Sequence, residues 1–348
     1  MEVRDMIYHP EYQRMKESGT VVQDIDSGVR RYLKYFDREI GYEEVASAYQ
    51  ERNTKTLLND ICMEFSALYQ TEINEVELIN RYQNGICVSA YTSQIHPAVY
   101  VDELFESTVT SFLLVSFLWS EFEGDVDIWG FAFSNMLYIF HKPCILGEMV
   151  SESALEGLLK TVAEKDPHLA DLAADCFWTI LTFALSHELA HIYFKKCGRV
   201  SKTWRQKRQE EYDTDRIAYD LVLRMIMKDA KKPENERVLY EYTYLAPMML
   251  MEYFDLFYYT DRVLYKQWVD DWEHPEPTRR KNQLFGIVNK PEYQFNTEEG
   301  NALYHGLLDV TDKGYKPNLL LKMEKGKLVQ ILENARREER LQEGRRSD

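Results

Sequence analysis

The sequence predicts an α+β protein that is predominantly helical with a small β-sheet or hairpin, and three observations carry that prediction. Apolar residues recur at helical spacing around Val29 to Phe36, Leu57 to Tyr69, Ile217 to Ile226 and Met248 to Tyr259. A continuous apolar run, Cys176 to Leu185, reads as a buried helix and continues straight into Ser186-His187-Glu188-Leu189-Ala190-His191-Ile192, with Gly198 as a helix stop soon after. Finally, Val99 and Val101 alternate with polar neighbours as in a half-buried strand, and Val88 to Thr92 precedes them at hairpin distance.

The helix through His187 and His191 carries the chemistry. Two histidines four positions apart project from one helix face, so both imidazoles reach a single Zn²⁺ while Glu188 sits beside the open coordination position. An apolar helix supplies the rigid, water-poor wall that such a site requires. The bland alternative is a pair of core histidines with satisfied hydrogen bonds, or a surface face on which Glu188 pairs with a lysine. A zinc held by two imidazoles needs a third protein ligand, and the segment Gln209-Glu210-Glu211-Tyr212-Asp213-Thr214-Asp215-Arg216-Ile217-Ala218 offers one. On a helix, Glu211 and Asp215 lie one turn apart on one face. Glu211 is the expected ligand, and Asp215 is expected to accept a hydrogen bond from the far nitrogen of a ligand histidine. The alternative for these acids is a solvated face beside Lys207 and Arg208.

His187-Glu188-x-x-His191 followed by Glu211-x-x-x-Asp215-x-x-Ala218 resembles the gluzincin metallopeptidases, most of all the M48-type branch. That branch typically carries a later His-Pro with an Arg six residues after the His, matched here by His274-Pro275 and Arg280. The resemblance implies that His274 and Arg280 lie at the cleft, where they bind substrate and stabilise the oxyanion. It also implies a zincin-like core, in which the strand through Ala98, Val99, Tyr100 and Val101 borders the cleft and binds an extended peptide along a free edge. The long stretch between Leu104 and His187 departs from the M48 pattern. A second resemblance is to the Lit-type phage-exclusion peptidases, soluble His-Glu-x-x-His proteases, and the sequence does not separate the two.

Three regions follow: a helical accessory region over 1–84, the metallopeptidase core over 85–290, and an extension over 291–348 ending in a charged helix. With 348 residues the chain has ample length for a substantial core. A formal net charge of −16 argues against nonspecific nucleic-acid binding, which needs a basic surface. The five cysteines are scattered and form no Cys-x-x-Cys pair, so they read as reduced buried thiols. The first residues lack the apolar segment of a signal peptide, and the longest apolar runs fall short of a membrane span, so a cytoplasmic location is expected. The reading that combines these features is a Zn²⁺-dependent endopeptidase acting on a protein or peptide substrate, with Glu188 as general base. Its alternative is a regulatory or interaction protein that uses the same fold for binding alone.

Overall fold

A computed structural model describes residues 54–71, 73, 76–81, 88–92, 97–102, 104–121, 167–233, 236–265, 275–290, 293, 295 and 297–324. The helical patterns at 29–36 and in the charged terminal run 325–348, together with Cys87, Cys144 and His274, lie outside the described residues.

Helix α1 (Thr54–Tyr69) turns Leu57, Leu58, Ile61 and Phe65 inward. Strands β1 (Glu77–Arg81), β2 (Val88–Thr92) and β3 (Pro97–Asp102) then form a three-stranded sheet in the order β1-β3-β2. The expected hairpin is present, because β2 and β3 pair antiparallel with Ala90 opposite Val99. Strand β1 pairs parallel to β3, with Leu78 opposite Val99. The boundary expected at residue 84 therefore divides one sheet, and α1 contributes to the same apolar core as everything that follows.

Helices α2 (Leu104–Glu121) and α3 (Pro167–Lys196) pack against each other, and α3 also meets the sheet through β2 and β3. The 30-residue α3 runs through the centre of the molecule. Its residues Ala173, Cys176, Ile180, Phe183, Leu185, Leu189 and Ala190 are all buried. A helix that is apolar on every side is stable in water only when other elements cover it, and α1, α2, α5 and α4 do so here. The apolar-run expectation is corrected at this point. His168–Lys196 is long and apolar enough to cross a membrane, and 72% of its most apolar window is buried inside the protein.

The end of α3 explains how the chain reverses. Arg199 N–H donates to Phe194 O at 2.9 Å and Gly198 N–H to Lys195 O at 3.0 Å, the paired bonds of a Schellman stop. Gly198 has φ +75°, which an L side chain adopts only with strain, and a Cβ added there would meet nothing within 4 Å. Gly198→Ala is therefore expected to lower stability by about 1 kcal/mol through backbone strain alone, read as a small fall in midpoint on denaturant unfolding. A loss of several kcal/mol would point instead to a packing role.

Helix α4 (Trp204–Asp229) starts with a capping box: the Thr203 hydroxyl accepts from Gln206 N–H, and the Gln206 side chain accepts from Thr203 N–H. A seven-residue turn over 197–203 thus joins α3 and α4 into an α-hairpin whose arms pack together. A 3₁₀ turn (Glu241–Thr243) follows, tied to α3 by the 2.6 Å contact between the Thr243 and Thr179 hydroxyls. Helix α5 (Ala246–Tyr265) buries Met248, Met249, Met251, Tyr253 and Leu256, the core role expected for this Met- and aromatic-rich stretch. Helix α6 (Pro277–Val288) lies across α4 and α5. Helix α7 (Glu298–Asp309), a π turn (Val310–Tyr315) and α8 (Lys316–Glu324) complete the described chain. Tyr304, Leu307, Tyr315 and Leu319 join the core, so the expected C-terminal extension is built into the body at least this far.

The described residues are thus predominantly helical with one small mixed sheet, in agreement with the α+β expectation. The thiols depart in part from theirs. Cys176 is buried and Cys62 partly so, burial pushing the Cys62 thiol up to about 12, whereas Cys197 is exposed in the turn.

Candidate metal centre

The α3–α4 hairpin brings the predicted ligands together. His187 and His191 are one turn apart on α3, and their Nε2 atoms lie 3.1 Å from each other. Across the hairpin, Glu211 reaches both: Oε2 is 3.3 Å from His187 Nε2 and Oε1 is 3.2 Å from His191 Nε2. One ligand atom from each of these three residues lies within 4.8 Å of the other two. His187 and Glu211 are buried, and His191 is partly so.

The far side of each imidazole meets another carboxylate. His187 Nδ1 is 3.0 Å from Asp215 Oδ1. His191 Nδ1 is hydrogen-bonded to Glu210 Oε1 at 3.0 Å, and the Ser201 hydroxyl donates to the other Glu210 oxygen. Glu210 and Ser201 were not among the residues read as functional. The legible signal was Glu210's place directly before Glu211, in the acidic segment that offers the expected third ligand.

This donor set fits a metal ion. An ionised carboxylate only accepts hydrogen bonds, so a carboxylate at each Nδ1 places the imidazole proton there and leaves the Nε2 lone pair exposed. Both exposed lone pairs face the Glu211 carboxylate, which leaves a point enclosed by nitrogen and oxygen donors. The electrostatics agree. Burial by itself lowers the His187 imidazole, but contacts with Asp215 and Glu211 reverse this and hold it up at about 10. Burial lowers His191 as well, and Glu210 and Glu211 outweigh it. Burial raises the Glu211 carboxyl, yet the two imidazoles bring it well below the usual carboxylate range. A field that favours positive charge at the Nε2 atoms this strongly also favours a metal cation, which competes with the proton for the same lone pairs.

The Arg280 guanidinium reaches from α6 to Asp215 in a bidentate pair, with Nε donating to Oδ2 at 2.7 Å and Nη2 to Oδ1 at 2.6 Å. Nη2 also lies 4.0 Å from Glu211 Oε2. Asp215 is fully buried, and burial alone would raise its carboxyl; Arg280 and His187 reverse this and hold it below its ordinary value. Through Nε and Nη2, Arg280 engages both Asp215 oxygens, a planar fork that orients this carboxylate behind His187. Taking Glu210, Glu211 and Asp215 as three negative charges, Arg280 as one positive charge and both imidazoles as neutral, the cluster carries a charge of minus two. One divalent cation offsets it.

Glu188 follows His187 on α3 and is partly exposed, close enough to raise the His191 imidazole through space. The strand expected to bind substrate is corrected. In β3, Ala98, Val99 and Val101 are buried and Tyr100 partly so, and β1 and β2 occupy both edges of the strand. Its backbone groups are committed to neighbouring strands, so no peptide can add there, and among the described strands only β1 and β2 have an outer edge.

A buried His-His-Glu cluster on an α-hairpin, with carboxylates behind both imidazoles, defines a candidate metal-binding site in a helical α+β protein. Residues 156–292 match the family described as Peptidase U49, a stretch that spans α3 to α6 and contains His187, Glu188, His191, Glu211, Asp215, His274 and Arg280. The match supports a peptidase family and agrees with the Lit-type resemblance, while the M48-like one is not confirmed. No curated protein matches the chain, and no solved structure does.

Proposed function

We propose that the chain is a zinc-dependent endopeptidase that hydrolyses peptide bonds in an intracellular protein substrate. The observation that carries this reading is the convergence of His187 Nε2, His191 Nε2 and the Glu211 carboxylate, with each Nδ1 facing a further carboxylate. The match of residues 156–292 to a peptidase family supports hydrolysis of a peptide bond over other uses of such a site.

His187, His191 and Glu211 would hold the ion, two neutral nitrogens and one anionic oxygen being a common ligand set for catalytic zinc. Zinc so held supplies Lewis acidity, lowering the pKa of a bound water and polarising a carbonyl. The protein's own residues do the rest. Asp215, locked by Arg280, keeps the His187 ring in one orientation. Glu188, partly exposed beside the ligands, accepts the proton of the attacking water and passes it to the leaving amine. The oxyanion-donor role falls by resemblance to His274 with Arg280 near it.

The test is metal content by elemental mass spectrometry on wild-type and His191→Ala proteins, with folding checked by circular dichroism. One zinc per chain in the wild type, lost in the folded variant, is the expected result. Equal metal in both proteins, or none in the wild type, would overturn the assignment.

A further inference from the structure

The carboxylate behind His191 has its own support. Glu210 is 8% exposed, and its two oxygens are divided between two partners on different segments. Oε1 takes His191 Nδ1 at 3.0 Å, and the other oxygen takes the hydroxyl of Ser201. Ser201 belongs to the turn over 197–203, whose path is set at one end by the Gly198 Schellman stop and at the other by the Thr203 capping box. A second contact, Arg199 to Asp213 at 2.6 Å, ties the same turn to α4 without touching either histidine. The turn therefore does more than reverse the chain: through Ser201 it clamps the carboxylate that faces the less buried of the two histidines.

We propose that Glu210, clamped by Ser201, is the positioning residue that holds His191 in the Nδ1–H form with Nε2 turned to the metal. The inference rests on the reading of His187, His191 and Glu211 as metal ligands. Asp215 performs the corresponding task for His187, so each imidazole has one dedicated carboxylate from α4. Glu210 differs from Asp215 in its anchor, a neutral hydroxyl on a turn in place of a buried guanidinium, so its grip on the histidine depends on the conformation of the turn.

The experiment measures zinc dissociation constants of the full chain by competition with a chromophoric chelator, together with the visible absorption spectrum of the Co²⁺-loaded protein. The variants are Glu210→Ala, Glu210→Gln, Ser201→Ala and Asp213→Ala. Glu210→Ala is expected to bind zinc about 10- to 100-fold more weakly and to alter the cobalt spectrum, the usual consequence of losing a hydrogen-bond partner behind a ligand histidine. Glu210→Gln is expected to recover part of the loss, because its amide oxygen still accepts from Nδ1–H. Ser201→Ala is expected to weaken binding less than Glu210→Ala. Asp213→Ala removes the neighbouring ion pair and is expected to leave zinc affinity unchanged.

Wild-type affinity and an unaltered cobalt spectrum in Glu210→Ala would overturn the positioning role while leaving the metal site intact. A loss in Asp213→Ala equal to that in Glu210→Ala would overturn it also, since a generally loosened turn would then account for both. If Glu210→Ala does not fold, Glu210→Leu, which fills the space but cannot accept from Nδ1–H, decides: weaker binding with a shifted cobalt spectrum supports the role, and wild-type affinity with a wild-type spectrum overturns it. Wild-type protein that takes up no metal would instead remove the reading on which the proposal stands.

Discussion

Glu188→Gln is expected to keep the fold and the metal while reducing peptide hydrolysis by between about a hundredfold and ten-thousandfold, the range a positioned general base contributes. The change replaces an acceptor that can carry a proton with an amide of the same shape that cannot. Glu188 is not one of the three clustered residues proposed to hold the ion, so metal content should not change. It is also partly exposed on α3, so the amide should be tolerated without a large loss of stability. The measurement compares new protein N-termini in cells producing wild-type and variant chains, alongside zinc content of both purified proteins. New N-termini in wild-type cells that vanish with the variant, at equal zinc content, are the expected result. Equal cleavage by both proteins would sink the general-base assignment.

A second large effect is expected at the pair behind His187. Asp215→Ala should cost about 3–5 kcal/mol of stability, because it strands the largely buried Arg280 guanidinium without its bidentate partner. The pair bridges α4 and α6, two elements that pack along each other, so the loss falls on tertiary structure and not on one helix. Denaturant unfolding in the presence of a metal chelator separates this term from any contribution of bound ion. The double variant Asp215→Leu with Arg280→Met removes both charges and fills the space, and it should recover most of the stability while the His187 contact stays lost. A single Asp215→Ala variant as stable as wild type would show that the pair does not hold these helices together. A double variant no better than the single would show that uncompensated charge is not the cause.

Spacing along single helices carried most of what could be read without coordinates. His187 and His191 share a face because they are four apart, and Glu211 and Asp215 do so for the same reason. The Gly198 stop was legible because few residues other than glycine accept the left-handed conformation of a Schellman end. Strand pairing was legible only where it was local: β2 and β3 are close in the chain, whereas β1 enters the sheet parallel to β3, a pairing that no turn signal announces. For that reason β3 was read as an edge and is in fact the central strand. The contact of Arg280 with Asp215 was not legible, because a buried carboxylate on one helix meets a guanidinium that packing brings from another.

The sequence by itself determined which residues share a helix face, His187 with His191 and Glu211 with Asp215, since a repeat of four on a helix is a short-range geometric fact. Only the tertiary structure decided how those residues are held: Glu210 behind His191, Asp215 and Arg280 behind His187, and the turn of Ser201 between the two helices. The orientation of an imidazole depends on partners that lie on other elements, and their approach is set by packing around α3, which no local pattern in the chain encodes.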